Sequence, residues 1–124
     1  MKKKLQDQGV ITVKEVMNAL QRNDAAELRL VAITLALSDL DFHFIQSVCI
    51  RLCSSSENDQ VRGNALISLG HLARRYRVLD EQTVKPIVEK GLLDASDYVR
   101  ECAKSAADEI HQFLHWTIRG HVYG

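Results

Sequence analysis

Apolar residues recur at three- and four-residue spacing along most of this chain, interrupted by short polar clusters, and that rhythm predicts helices throughout. The first helix opens near Thr12 and sets Val13, Val16, Met17 and Leu20 on one face before stopping at Arg22-Asn23. Asp24 stands where an N-cap is needed for a second helix, whose Leu28, Ala32, Leu35 and Ala36 form an expected buried stripe ending around Ser38-Asp39. Asp41 can cap a third helix with Ile45, Val48, Cys49, Leu52 and Cys53 on one side, followed by a polar turn over residues 54–58. The fourth carries Val61, Ala65, Ser68, Leu69 and Leu72 and ends in the basic run 74–77. Basic residues suit a last turn, where they face the negative end of the helix dipole. After a turn at Asp80, the fifth helix carries Val84, Ile87, Val88 and Leu92. The sixth opens near Ser96-Asp97 and runs through Val99, Ala103, Ala106, Ala107, Ile110, Phe113 and Leu114. Residues 118–124 show no period, so an irregular tail is expected, packed over the open end of the helices.

The six helices fall into three pairs, and the pairs share a phrase. A branched apolar residue precedes an arginine, and an alanine follows three positions later. The copies are Leu28-Arg29 with Ala32, Val61-Arg62 with Ala65, and Val99-Arg100 with Ala103. Offsets of 33 and 38 residues between the arginines match the period of stacked helical hairpins. Short turns force each pair to be antiparallel. One such hairpin cannot cover its own apolar face, and about three are needed for a stable stack.

The third hairpin resembles a HEAT repeat: Pro86 in its first helix, Asp94 at the turn, Val99-Arg100 in its second helix, then Ala103. The resemblance covers roughly residues 12–116, with repeats at about 12–38, 41–76 and 81–116. It implies a short all-α solenoid of three HEAT-like hairpins forming a single domain over residues 1–124. It also implies that Pro86 bends its helix, and that Asp94 and Arg100, with Arg29 and Arg62, build a ladder of charge-assisted bonds between neighbouring hairpins. The first two repeats depart from the pattern. Glu15 and Val48 replace the proline, and Asn23 and Ser56 replace the turn aspartate.

Composition removes several function classes. Sixteen basic and sixteen acidic side chains cancel, against a dominant nucleic-acid or anionic-membrane footprint. Acidic groups nevertheless outnumber basic ones over residues 23–57 and 91–124, a banding that suits a basic partner. Three cysteines without framework spacing point to a reducing compartment. The lysine-rich start is followed by no apolar stretch, so it does not read as a signal peptide, and the expected location is cytoplasmic.

Candidate chemistry is sparse. Cys49 and Cys53 lie four apart on one helical face, but no second pair completes a zinc site, and both read as small buried hydrophobes. His111 and His115 are also four apart, without the glutamate that a metalloprotease helix places beside its first histidine. No phosphate loop or nucleophile elbow is present, so no catalytic, metal or cofactor-binding residue is assigned, no cofactor is expected, and the chain reads as a non-enzyme. The run Arg74-Arg75-Tyr76-Arg77, with Lys85 and Lys90 downstream, is the best nucleic-acid candidate, since an interleaved tyrosine could stack on a base.

In HEAT-type stacks the second helices line the concave surface. That places Glu27, Asn64, Glu101, Asp108 and Gln112 outward, with Asp59 and Asp97 at the helix starts, as candidate partner-binding residues. The expected function is therefore a non-catalytic protein-binding module. By analogy of architecture it is similar to bacterial immunity proteins of contact-dependent inhibition systems, which neutralise a cognate toxin, commonly a nuclease. The alternatives are an adaptor or assembly scaffold, or a small nucleic-acid-binding or lyase-like HEAT protein using the run 74–77.

Overall fold

Side-chain caps set where the helices begin. In the computed structural model, which describes residues 11–123, α1 spans Val13–Arg22, α2 Ala25–Thr34, α3 Phe42–Ser55, α4 Asp59–Tyr76, α5 Glu81–Gly91 and α6 Asp97–Leu114. Thr12 accepts from the Glu15 N–H while Glu15 reaches back to the Thr12 N–H, a reciprocal box. Asp24, Asp41, Asn58 and Ser96 accept from the N–H three residues on and cap α2, α3, α4 and α6. Three helices end on a left-handed residue that is not glycine: Asn23, Arg77 and His115. The lysine-rich start, read above as no signal peptide, lies outside the described residues. Among those that are described there is no strand, and no helix is long and apolar enough to cross a membrane.

The chain is all-α, and α4 is its central member, packing against α2, α3, α5 and α6. One side of α4 meets α2: Ser68, wholly buried, donates its hydroxyl to the Ala32 carbonyl, and Asn64 Nδ2 donates to the Arg29 carbonyl at 3.2 Å. The other side meets α6, where Gly70 lies so close that an added Cβ would sit 3.2 Å from the Ala106 Cα. The core runs through Val31, Leu35, Ile45, Val61, Leu69, Leu72, Val84, Val88, Val99 and Ile110, all fully buried.

Gly70 is therefore a spacing device, and it yields a test. Gly70→Ala should shift stability by less than about 1 kcal/mol, because the better helix propensity offsets the squeeze against backbone. Gly70→Leu has no such refuge and should cost about 2–3 kcal/mol by forcing α4 from α6. Urea denaturation of both variants checks the contrast.

Several expectations need correction. Val13 and Met17 are exposed, and only Val16, Ala19 and Leu20 of α1 are buried. Those three face α2, whereas Val13 and Met17 occupy a flank that no described helix covers. The α2 hydrogen-bond pattern stops at Thr34 and tightens into a 3₁₀ turn over Leu35–Leu37, closed by Ser38, whose hydroxyl donates to the Leu35 carbonyl at 2.8 Å. The polar turn after α3 shrinks to residues 56–58, since α3 continues to Ser55.

The inter-hairpin rung forms between Arg62 and Asp94, with Nε and Nη2 donating to the two carboxylate oxygens at 3.2 and 3.0 Å. Arg100 stays within its own hairpin, donating to the Asp94 carbonyl at 2.6 Å and pairing with Asp97. Arg29 meets Gln60 at 2.9 Å instead of a carboxylate, in keeping with the missing turn aspartate of the second hairpin. Pro86 lies inside α5, where its ring withholds the N–H that the Gln82 carbonyl would otherwise receive.

The tail is irregular and docks where α5 and α6 end. Ile118 is buried, Arg119 N–H donates to Glu89 at 3.0 Å, and the Tyr123 hydroxyl accepts from the Ile118 N–H at 2.8 Å.

Candidate functional site

The second helices of the pairs lie side by side, α2 and α6 flanking α4, and each carries an outward strip. On α2 that strip is Ala26, Leu30 and Ile33, at offsets of four and seven residues, which keeps them on one side of the helix, and Leu37 follows in the 3₁₀ turn. Every one of them is exposed, and Leu30, Ile33 and Leu37 retain 47%, 44% and 74% of their accessible surface. Since Leu28, Val31 and Ala32 fill the opposite face, continued by Leu35 and Ala36 in the 3₁₀ turn, α2 carries apolar residues on its open side as well as on its buried one. A helix of that kind leaves apolar area in water that a partner can remove.

On α4 the outward strip is Gln60, Ile67 and His71, with Asn64 buried beneath it. On α6 it is Asp97, Glu101, Lys104, Asp108 and Gln112. Tyr98 leans from α6 across α4 and donates its hydroxyl to Asn64 Oδ1. Gly63 makes that crossing possible, because a Cβ there would stand 2.6 Å from the tyrosine ring. Burial, with Cys102 next to it, pushes the Tyr98 phenol above its ordinary range, so it remains a donor. The result is a shallow groove of about 450 Å³ with Leu30 and Ile33 on one wall, Gln60 and Asn64 in the floor and Tyr98 on the other wall.

The predicted partner-binding residues divide. Asp97, Glu101, Asp108 and Gln112 are exposed together along α6. Lys104 falls within their row and pairs with Glu101 at 3.0 Å, and His121 of the tail donates to Asp108 at 2.7 Å. Asn64 is not an outward contact: it is buried and ties α2 to α6 through the two bonds given above. Asp59 accepts from the Ser96 hydroxyl at 2.8 Å and holds the start of α6 against α4. Glu27 pairs with Arg22 at the α1–α2 turn, away from the acidic row.

The basic run is spent on the fold. Arg75 donates to the Ala36 and Ser38 carbonyls at 2.9 and 2.6 Å, satisfying acceptors that the end of the 3₁₀ turn leaves open. Arg74 bridges to Glu109 on α6 at 3.3 Å and donates to His71 Nδ1 at 2.9 Å. Arg77 lies over the Phe113 ring, and Tyr76 packs on Phe42. The three guanidinium groups therefore point to three different partners and form no common patch.

Cys49 is wholly buried, and burial pushes its thiol up to about 12. Cys53 is held well above the ordinary thiol value, first by burial and then by Cys49. It borders a separate cavity of about 270 Å³ walled by Leu66, Ile87 and Val99. His111 donates Nδ1–H to the Trp116 carbonyl at 2.9 Å and stacks near Tyr123, while His115 closes α6 in the left-handed conformation. No group of three or more histidine, cysteine or carboxylate side chains suited to a metal occurs among the described residues.

What the sequence reading missed is the α2 strip and Tyr98. The signal was present as a second apolar set on α2, offset from the buried one, and only the packing tells that no other described helix covers it. Scans against family models, curated proteins and solved structures returned no match to this chain.

Proposed function

We propose that this chain is a non-catalytic protein-binding module that forms a one-to-one complex through the face built by α2, α4 and α6. The observation that carries the reading is the open strip Ala26, Leu30, Ile33 and Leu37, with the exposed carboxylates of α6 across α4 from it. Burying exposed leucine and isoleucine side chains supplies association energy at about 25 cal/mol per Å², while charges at the rim set orientation and rate. The HEAT-like pairing of helices is the architecture that suits such a face, with the second helices side by side. In its sharper form the proposal is an immunity protein that covers the basic active site of a toxin, commonly a nuclease, by analogy with small helical-repeat inhibitors. The run 74–77 lends no support to the nucleic-acid alternative, because its guanidinium groups are engaged within the molecule.

Leu30→Asp with Ile33→Asp tests the face directly. The circular dichroism melt should retain a single cooperative transition, since nearly half of each side chain is already in water. In affinity capture from the native cell, one protein should co-purify stoichiometrically with the parent and be lost from the variant. A capture profile identical for both would defeat the proposal. For the immunity form, the captured protein should carry an activity that the parent chain abolishes at a one-to-one ratio.

A further inference from the structure

We propose that the notch between the first and second hairpins binds a carboxylate carried on a short aliphatic chain, with Arg51 as its anchor. The site shares no residue with the groove beside Leu30 and Ile33, so it stands apart from the protein-binding reading.

The repeat itself points to the ligand. Asn23, Ser56 and Asp94 hold one position in the three hairpins, 33 and 38 residues apart, which are the offsets of the recurring arginine. Leu20 and Cys53 correspond in the same way, as do Leu52 and Lys90. The cavity between the second and third hairpins is walled in part by Cys53, Lys90 and Asp94. The notch between the first and second is walled by their counterparts Leu20, Leu52 and Ser56. One notch therefore occurs twice along the chain.

The two copies differ in charge. In the second copy the chain supplies both partners, and Arg62 grips the Asp94 carboxylate through Nε and Nη2. In the first copy the counterpart of Asp94 is the neutral Ser56, and Arg29, the counterpart of Arg62, is turned to Gln60. Arg51 lines this notch instead. Its guanidinium makes no ion pair with any described residue.

The remaining lining selects an anion. The Asn23 amide faces the same space, and Ser56 Oγ, which accepts from the Asn58 N–H at 3.2 Å, keeps its own hydrogen to donate. Ser55 is spent on the Arg51 carbonyl at 2.6 Å. No carboxylate lines the notch among the described residues, and the adjacent Asp24 is committed to the Glu27 N–H. A cation among donors, with no acid beside it, attracts a negative charge. The flat guanidinium fork matches the two coplanar oxygens of a carboxylate. Leu20, Leu28 and Leu52 suit methylene groups and disfavour a fully hydrated oxyanion such as phosphate. The notch measures about 300 Å³, roughly ten times a water molecule's share of the liquid, so a chain of a few carbons fits.

The test uses the full chain, isotope-labelled and titrated with sodium butyrate. Amide shifts should saturate at Asn23, Arg51 and Ser56, with a Kd in roughly the millimolar range. Butylammonium and inorganic phosphate should bind roughly tenfold more weakly or not at all. Arg51→Gln should weaken butyrate roughly tenfold with the melt retained, since that side chain is exposed. Ser56→Asp brings a carboxylate of the chain into the notch. The turn accepts it, because Asp94 takes the Ser96 N–H at 2.9 Å just as Ser56 takes that of Asn58. This variant should lose butyrate binding and melt no lower than the parent. A blocked tripeptide with a central glutamate, titrated in parallel, separates the sources: binding tighter than butyrate assigns the carboxylate to a polypeptide, and weaker binding assigns it to a small acid. Phosphate or butylammonium matching butyrate, shifts located elsewhere, no saturable binding of either carboxylate, or parent-like binding by Arg51→Gln overturns the proposal.

Discussion

Leu69→Ala should destabilise the protein by about 3–4 kcal/mol, the usual range for a leucine removed from a rigid core site. Leu69 is wholly buried on α4, the helix that touches α2, α3, α5 and α6. A neighbour cannot move in to fill the gap without leaving its own contact, because α4 is pinned on one side by Ser68 and Asn64 and on the other by the Gly70 approach. Domains of this size hold roughly 5–15 kcal/mol in total, so the loss is a large share. A fall in Tm of roughly 10–15 °C is the expected readout. Leu69→Met, which nearly conserves volume, should cost less than about 1.5 kcal/mol. Equal, small shifts for the two variants would mean that α4 is not the central member.

Arg62→Ala carries the second large effect. Arg62 and Asp94 keep only 21% and 17% of their side-chain surface, and the arginine also donates to the Ser56 and Glu57 carbonyls at 3.2 and 3.1 Å. Removing it strands a half-buried carboxylate and two acceptors, which should cost about 2–3 kcal/mol, below the full penalty of a buried charge because some solvent reaches the site. Burial pulls the Asp94 carboxyl upward, but the Arg62 hydrogen bonds, the Ser96 N–H and the charges of Arg62 and Arg100 outweigh it and hold the group below its ordinary range. A carboxyl depressed in the folded state adds stability that is complete above the unfolded value, about 3.9, and drains away as pH falls through the folded one. The parent should therefore lose stability in acid from this group. Without Arg62 that contribution shrinks, so the two proteins should differ most near neutral pH and converge as pH falls below the unfolded value. Urea unfolding across that range measures the gap, and a gap that widened in acid would contradict the assignment. Replacing both residues by leucine should recover part of the loss, since no charge is then left unpaired.

Local signals in the sequence were reliable where the cause is local. Thr12, Asp24, Asp41 and Ser96 cap the helices they precede, because a capping oxygen needs only the N–H groups of its own next turn. The buried stripes of α4 and α6 follow from spacing alone, since one face of an amphipathic helix must turn from water. Long-range partners were not legible. Nothing near Asn64 in the chain says that Arg29 and Tyr98 will converge on it, and nothing near Arg75 says that the Ala36 and Ser38 carbonyls need a donor. For that reason a residue expected at the partner surface became an internal bridge, and an arginine read as suiting the dipole of its own helix became a cap for another.

The sequence by itself determined the helices, their order, their caps and the arginine that recurs in every pair, because each depends on residues within a turn or two. The tertiary structure alone decided that the other side of α2 stays open. Spacing marks the buried stripe Leu28, Ala32, Leu35 and Ala36, but whether another element covers Leu30 and Ile33 depends on packing. Ser68 and Asn64 of α4 fix its rotation by taking the Ala32 and Arg29 carbonyls, and that rotation leaves Leu30 and Ile33 open.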